Sequence, residues 1–302
     1  MGNLLHNKTL MLPVALIGGA VLHEWMGYLT FLSPYLIFAM LFITYCKLRP
    51  SDFRLTREEC LLLLIQLALS LGVYGALVWW NHTVAEGVFI CIFVPTATAA
   101  PVITSMLGGS ISKVAAYSLL CNLVVAAVGP LLLAWIGDAE GMTFGASFLK
   151  ILRQVVPLLL GPLAVAFALR YVLPKVHSKI LGMQQLSFYL WAVALFIIVG
   201  SCVSFAIRQW RPENTLTMVW LCLGALGACL LQFVIGRRFG KAYGDPVSGG
   251  QSLMQKNTVL AVWLALAYMN PIASIAPAAY IAWQNIINSW QLMKHESGVK
   301  KI

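Results

Sequence analysis

The sequence predicts an all-α polytopic membrane protein with ten transmembrane helices. Hydrophobic residues make up 60% of its 302 residues and charged residues only 10%, whereas a soluble domain has about 25% charged residues. Ten apolar runs, each near the length of about 17 to 25 residues that crosses a bilayer, cover most of the chain. They lie at about residues 9–25, 30–46, 60–80, 85–107, 112–135, 149–172, 187–207, 215–236, 247–269 and 272–293. Because the connections are short, we expect residues 1–302 to form a single membrane domain.

Basic residues are concentrated on one side of the predicted membrane. Fifteen of the twenty lysines and arginines fall at the N-terminus, at the C-terminus or in loops on the same side as these ends. Cytoplasmic loops are enriched in Lys and Arg, so both termini are expected to be cytoplasmic. The net charge of +10 therefore reflects topology, and we expect no nucleic-acid partner.

Lys256 is the most informative single residue. It lies near the middle of the ninth predicted helix, residues 247–269, and residues 246–290 contain no other charged residue. The nearer end is about nine residues away, or about 14 Å along a helix, and a lysine side chain extends only part of that distance. A charge at the bilayer centre costs several kcal/mol. Lys256 is therefore expected to face a protein cavity or an anionic ligand.

Internal similarity predicts two inverted five-helix repeats, at about residues 9–135 and 149–293. Residues 33–43 match residues 187–197 at six of eleven positions, with an offset of 154 residues that equals five predicted helices. An odd number of helices in each half inverts the second copy in the membrane. Inverted repeats are common in secondary transporters, whose binding sites lie at the bilayer midplane between the halves.

The same offset relates the two least regular helices, the fourth and the ninth. The fourth contains Pro95-Thr96-Ala97-Thr98-Ala99-Ala100-Pro101, and adding 154 to Pro101 leads to Gln255, beside Lys256 and Asn257. Proline interrupts a helix interior, and three consecutive polar residues do not suit a lipid-facing helix. We expect two discontinuous helices that cross, with their half-helix N-termini directed into a shared cavity. An ordinary proline kink and polar contacts between helices are the alternatives.

Five motifs, taken in order along the chain, resemble the bile acid:sodium symporter family and its bacterial members. They are Lys47-Leu48-Arg49-Pro50-Ser51-Asp52-Phe53, Gln66, the segment from Pro95 to Pro101, Gln251-Ser252-Leu253-Met254-Gln255-Lys256-Asn257, and Trp283-Gln284-Asn285-Ile286. The resemblance implies a panel domain of helices 1, 2, 6 and 7 and a core domain of helices 3–5 and 8–10. Helices 4 and 9 are then unwound where they cross. It also implies a multi-pass protein of the cell inner membrane.

The chain departs from this family at the sodium sites that the resemblance implies. The glutamate, serine, asparagine and two hydroxyl positions of the family read Gln251, Ala100, Pro101, Val114 and Ser118 here. A hard cation requires several oxygen ligands, and a fixed ammonium nearby repels a cation strongly at low dielectric. We therefore expect Lys256 to replace sodium as the positive charge at the crossing, and we do not expect sodium coupling.

The resemblance implies a secondary transporter that moves an organic anion, either bile-acid-like or a small carboxylate, by alternating access. The candidate substrate-binding residues are Thr98, Lys256, Asn257 and Asn285. The candidate residues of the crossover and of coupling are Gln66, Pro101, Ser118, Gln251, Gln255 and Lys256.

Lys256 has two alternative orientations in this scheme. It either points into the crossing as a tethered cation or points into the cavity and pairs with the substrate anion. A lysine that titrates during the cycle would couple transport to protons, whereas a permanently charged one would make the protein a uniporter or an exchanger.

Other classes of protein remain as alternatives. These are a sodium-coupled symporter of the same family with degenerate sites, a non-transporting membrane receptor, including a Schiff-base pigment, and a passive channel. An intramembrane metalloprotease would need a His/Glu cluster within the bilayer, which the sequence lacks. The seven cysteines show no metal-binding spacing. We therefore expect no enzyme activity, cofactor or metal.

Overall fold

The computed structural model describes residues 8–47, 56–97, 100–137 and 144–299. Within these ranges the chain folds into helices joined by short connections, and its one β-type pairing is an isolated bridge. The helices are α1 (Lys8–Val21), α2 (His23–Leu29), α3 (Ser33–Tyr45), α4 (Arg57–Val78), α5 (His82–Phe93), α6 (Ala100–Met106), α7 (Ile111–Ile136), α8 (Phe144–Val172), α9 (Pro174–Leu181), α10 (Gln184–Gln209), α11 (Pro212–Ala242), α12 (Pro246–Met254), α13 (Thr258–Tyr268) and α14 (Ile275–Val299). Short 3₁₀ turns occur at Thr30–Leu32 and Pro271–Ser274.

Among the described residues, five helical segments are long and apolar enough to cross a membrane. They are His23–Tyr45, Arg57–Val78, Ile111–Ile136, Phe144–Val172 and Pro212–Ala242. His23–Tyr45 overlaps the first two predicted transmembrane helices and each of the other four overlaps one. The predicted all-α class is confirmed in this coarser form, as a helical membrane protein. The first predicted helix, 9–25, is divided at Leu22 into α1 and α2.

The fourth and ninth predicted helices are each divided into two short helices. In the fourth, α5 ends at Phe93 and α6 begins at Ala100, and Pro95 lies in the connection. In the ninth, α12 ends at Met254 and α13 begins at Thr258. The N-terminus of α13 is capped by the side chain of Asn257, whose Oδ1 accepts a hydrogen bond from the Leu260 N–H at 3.2 Å.

The helices pack in two groups. In the first group α10 packs against α1, α2 and α3, while α8 packs against α3. In the second group α4 packs against α5 and α11 against α12, and the divided helices meet between them. The interrupted segments are therefore surrounded by protein, which is where a membrane protein tolerates a non-helical backbone.

Close contact between α11 and α12 depends on glycine. A Cβ added at Gly236 would clash with the carbonyl oxygen of Gly249, and one added at Gly249 would clash with the backbone of α11. Small residues at such contacts let helix backbones approach closely. This contact holds α12 in the position from which its C-terminus reaches the crossing.

Candidate functional site

The two interrupted segments cross as a short antiparallel bridge between Thr96 and Lys256. The Ala97 N–H donates to the Gln255 carbonyl, and the Asn257 N–H donates to the Pro95 carbonyl, both at 2.9 Å. These hydrogen bonds satisfy backbone groups that the interruption would otherwise leave unpaired in an apolar interior. The predicted crossing of the two discontinuous segments is therefore a feature of this structure.

Lys256 points into the crossing. Its side chain is only 1% exposed, and its Nζ donates a hydrogen bond to the Val94 carbonyl oxygen at 3.1 Å. Its backbone N–H donates to Gln284 Oε1 at 3.1 Å. Val94 is the C-cap of α5, so the ammonium lies at the partially negative end of that helix, where a cation is stabilised by the helix dipole. Of the two predicted orientations, the structure has the one that points into the crossing.

Gln66 supports the same helix end from α4. Its Nε2 donates to the carbonyls of Phe93 at 2.9 Å and Val94 at 3.2 Å. Its Oε1 accepts a hydrogen bond from the Tyr117 hydroxyl, and Cys121 also contacts this amide. Gln66 is fully buried, so these bonds fix the direction of its amide. The carbonyls at the end of α5 therefore have two sources of donors, Gln66 and the ammonium.

The C-terminal end of α12 is supported in a similar way by side chains from other helices. The Thr96 hydroxyl donates to the Ser252 carbonyl at 2.8 Å, and the Tyr280 hydroxyl donates to the Met254 carbonyl at 2.8 Å. Gln232 in turn donates to the Tyr280 hydroxyl at 2.9 Å. Both helix ends at the crossing thus direct their carbonyls toward polar donors.

The helix end that the Lys256 ammonium contacts is a C-terminus, not one of the half-helix N-termini that were predicted to point into a shared cavity. The carbonyl that Lys256 contacts belongs to the C-terminal end of α5, because the ammonium reaches back across the bridge to Val94. A C-terminal end favours a cation, whereas an N-terminal end favours an anion. The center of the crossing is therefore suited to a positive charge, which the chain itself supplies.

Gln251 and Gln255 are buried but do not bond to the Lys256 ammonium. Gln251 Nε2 donates to Asn288 Oδ1 at 3.3 Å, while Gln251 Oε1 and Asn288 Nδ2 have no partner among the described residues. Gln255 Nε2 also has no partner among the described residues, whereas the backbone carbonyl of Gln255 accepts the hydrogen bond from the Ala97 N–H. Unsatisfied buried amide atoms cost about 1–3 kcal/mol each, so they indicate a site that can bind a further polar group.

The other predicted site residues have different surroundings. Thr98 lies outside the described residues. Pro101 is in the first turn of α6, where proline is tolerated, rather than in a helix interior. The Ser118 hydroxyl donates to the Thr96 carbonyl at 3.4 Å, so it contacts the crossing directly. Asn285 is partly exposed, and its Nδ2 donates to the Ile281 carbonyl at 2.6 Å.

Several residues of the site could not be identified from sequence patterns. Tyr280 and Gln284 contact the crossing from α14, and Tyr117 of α7 supports it through Gln66. Each occurs in an apolar helix where an isolated polar residue has many alternative roles. Gln284 forms part of the Trp283–Ile286 motif, which was the available signal for it. Glu86 was also missed as a buried group. It is fully buried in α5 and accepts a hydrogen bond from the Asn270 N–H at 3.2 Å.

The chemistry of the crossing is that of amides, hydroxyls, carbonyls and one ammonium. Cys91 and Cys121 are titratable side chains that lie close enough to Lys256 to interact with it electrostatically. Among the described residues no group of three or more His, Cys, Asp or Glu side chains could hold a metal ion. The chain matches no protein-family model and no curated protein, so the crossing itself is the basis for a functional proposal.

Proposed function

We propose that this protein is a secondary transporter of an organic anion that works by alternating access without sodium. Lys256 takes the role that a bound sodium ion has in the bile acid:sodium symporter family. The observation that carries the proposal is the crossing of two interrupted apolar helices around a buried ammonium. Interrupted helices that cross inside a membrane are typical of secondary transporters, and a continuous helix would hydrogen-bond its own backbone at lower cost.

Pairwise helix packing supports an inverted repeat with ten transmembrane helices. When α1 and α2 are counted together as the first helix, the contact of α1 with α10 corresponds to that of α8 with α3. In the same way, the contact between α4 and α5 corresponds to the contact between α11 and α12. The contact between α6 and α7 corresponds to the contact between α13 and α14. Corresponding contacts are expected when two five-helix halves fold alike. The proposed panel then contains α1–α3, α8 and α10, and the proposed core contains α4–α7 and α11–α14.

A tethered ammonium accounts for the loss of the family's cation ligands. The carbonyls of Phe93 and Val94 concentrate negative partial charge at the end of α5, and Lys256 neutralises it without an ion from solution. A second cation beside the ammonium would be repelled strongly at low dielectric. The substrate anion is proposed to bind on the accessible side of the crossing, near Thr98, Asn257 and Asn285.

Uptake into proteoliposomes tests this proposal. A panel of bile acids, pantoate and short keto acids is offered in sodium buffer, in potassium buffer and with an imposed pH gradient. We expect uptake of at least one anion at the same rate in sodium and potassium. Stimulation by the pH gradient would identify proton coupling, and uptake without it would identify a uniporter or exchanger. Uptake that requires sodium and saturates with it would refute the role assigned to Lys256.

Sodium-coupled symport is the second candidate, and Gln251 favours it. Gln251 occupies the position of the family's sodium-binding glutamate, and its buried Oε1 has no partner in the described part of the chain. An unpaired amide oxygen is a ligand type that hard cations use. Gln251→Leu distinguishes the two candidates, because it removes that oxygen while leaving the contacts of Lys256 in place. Loss of sodium-stimulated uptake in this variant would support sodium coupling, and unchanged uptake would support the sodium-independent carrier.

A further inference from the structure

A second cluster of polar and aromatic side chains lies away from the crossing, between α11 and α14. It lines a cavity of about 380 Å³, formed by Leu107, Phe233, Arg237, Val247, Trp290, Gln291 and Lys294. This volume lies within the range of about 300–1,000 Å³ that is typical of small-ligand sites. In the sequence, the basic residues of this region indicate only the orientation of the protein in the membrane.

The polar lining offers hydrogen-bond donors. The Arg237 guanidinium and the Lys294 ammonium are both cationic and cannot accept a hydrogen bond. Arg237 Nη1 donates to Gln291 Oε1 at 3.4 Å, and the buried Gln291 Nε2 is left without a partner in the described part of the chain. No described lining residue is acidic. Two positive charges and one unsatisfied amide donor are the groups that an anion would need.

Aromatic rings hold the two cations beside the cavity without neutralising them. The Arg237 guanidinium lies 5.5 Å from the centre of the Phe233 ring, and the Lys294 ammonium lies 5.2 Å from the centre of the Trp290 ring. The two rings contact each other edge to face, with centroids 6.5 Å apart. Cation–π contacts orient a charged group but leave its hydrogen atoms available to a ligand.

The position of Arg237 along α11 indicates which kind of anion lies near the cavity. Arg237 is 25 residues beyond Pro212, or about 38 Å along the helix axis, which exceeds the hydrocarbon thickness of about 30 Å. Trp290 is 49% exposed, as is typical of a tryptophan at a membrane interface. The cavity therefore opens at the level of the lipid headgroups, where phosphate is the most abundant anion.

We propose that this cavity binds a phosphate group, with Arg237, Lys294 and Gln291 as its donors. Arginine and lysine at the ends of transmembrane helices form the basic pockets that bind anionic headgroups. The same side chains can donate hydrogen bonds to a soluble phosphate. The site is independent of the transport proposal, because none of the three donors hydrogen-bonds to the crossing in the described part of the chain.

Calorimetric titration of the purified protein in non-ionic detergent tests the proposal. The probes are inorganic phosphate, short-chain phosphatidylglycerol and a diacylglycerol of the same chain length that lacks phosphate. The variants Arg237→Met and Lys294→Met each remove one charge and keep an unbranched stem. Arg238→Met is the matched control, because Arg238 is the next residue on α11 but is exposed and does not line the cavity.

We expect saturable binding of at least one phosphate probe. Loss of one charge-assisted hydrogen bond should weaken this binding at least tenfold in Arg237→Met and Lys294→Met, and Arg238→Met should leave it unchanged. Binding of inorganic phosphate would indicate a soluble ligand, whereas binding of phosphatidylglycerol alone would indicate a lipid headgroup.

Three results would overturn the proposal. They are no binding of either phosphate probe, equal binding of diacylglycerol, and equal affinity in all three variants and the wild type. The Arg237 stem packs against Gly250, so Arg237→Met could fold poorly. Lys294 is exposed, and the Lys294→Met result decides the outcome in that case.

Discussion

Replacing Lys256 by methionine separates the charge of this residue from its volume. Lys256→Met keeps an unbranched side chain of similar length in a site that is 1% exposed, and it removes the ammonium. Two favourable terms are lost. A hydrogen bond from a charged donor to the Val94 carbonyl contributes about 1.5–3 kcal/mol, and the position of the ammonium at the end of α5 contributes up to about 2 kcal/mol.

One unfavourable term disappears at the same time. Burying an ammonium costs several kcal/mol even after relaxation, and methionine does not bear this cost. The Val94 carbonyl also keeps a donor, because Gln66 Nε2 lies 3.2 Å from it. The opposing terms are of equal size, so the free energy of unfolding should change by less than about 2 kcal/mol. Lys256→Ala removes the stem as well and should cost about 2–5 kcal/mol through the cavity it leaves.

The assay compares unfolding in detergent with binding of organic anions by the same preparations. Wild-type protein should be stabilised by about 2.7 kcal/mol at an anion concentration one hundred times the dissociation constant. Lys256→Met should fold with near wild-type stability but show neither this stabilisation nor uptake, because the end of α5 then lacks its cation. Wild-type uptake by Lys256→Met would refute the functional role of the ammonium. A loss of stability equal to that of Lys256→Ala would show that the charge is needed for folding.

Three further changes test the surroundings of the site. Gly236→Ala should destabilise the protein by about 1–3 kcal/mol because a Cβ there clashes with α12. A Cβ at Gly227 on the same helix meets no atom within 4 Å, so Gly227→Ala should be neutral or stabilising. Equal melting temperatures of Gly236→Ala and Gly227→Ala would contradict the close contact between α11 and α12. Gln66→Leu leaves the buried Tyr117 hydroxyl without its acceptor, and a loss below about 1 kcal/mol in unfolding titrations would contradict that bond. Asp245 caps α12. Burial raises the pKa of its carboxyl, but hydrogen bonds from Ser248 and Ser110 outweigh burial and hold that pKa below its usual 3.8. The contribution of the Asp245 carboxylate to the free energy of unfolding is thus present above pH 3.8, and it is lost as the pH falls through the pKa of the folded state. Asp245→Ala should therefore cost about 0.5–2 kcal/mol at pH 7, and a cost that persists unchanged at pH 2 would refute this.

The interruption of the two helices was predictable from residue types. Pro95 removes a backbone donor, and the polar run at Gln255, Lys256 and Asn257 has no low-cost position on a lipid-facing helix. The partners of that run were not predictable. Gln284 and Val94 are 28 and 162 residues from Lys256 in the chain, and no local pattern relates residues so far apart.

The sequence by itself determined the class of protein and predicted the depth of its central charge. Both follow from the cost of placing polar groups in hydrocarbon, which depends on residue type and on position along a helix. Only the tertiary structure decided where the Lys256 ammonium points, because that depends on which helix end lies beside it. It also showed that Arg237 and Lys294 share a cavity with Gln291. Charges in separate helices act on one ligand only after packing brings the helices together, and packing depends on contacts between distant parts of the chain.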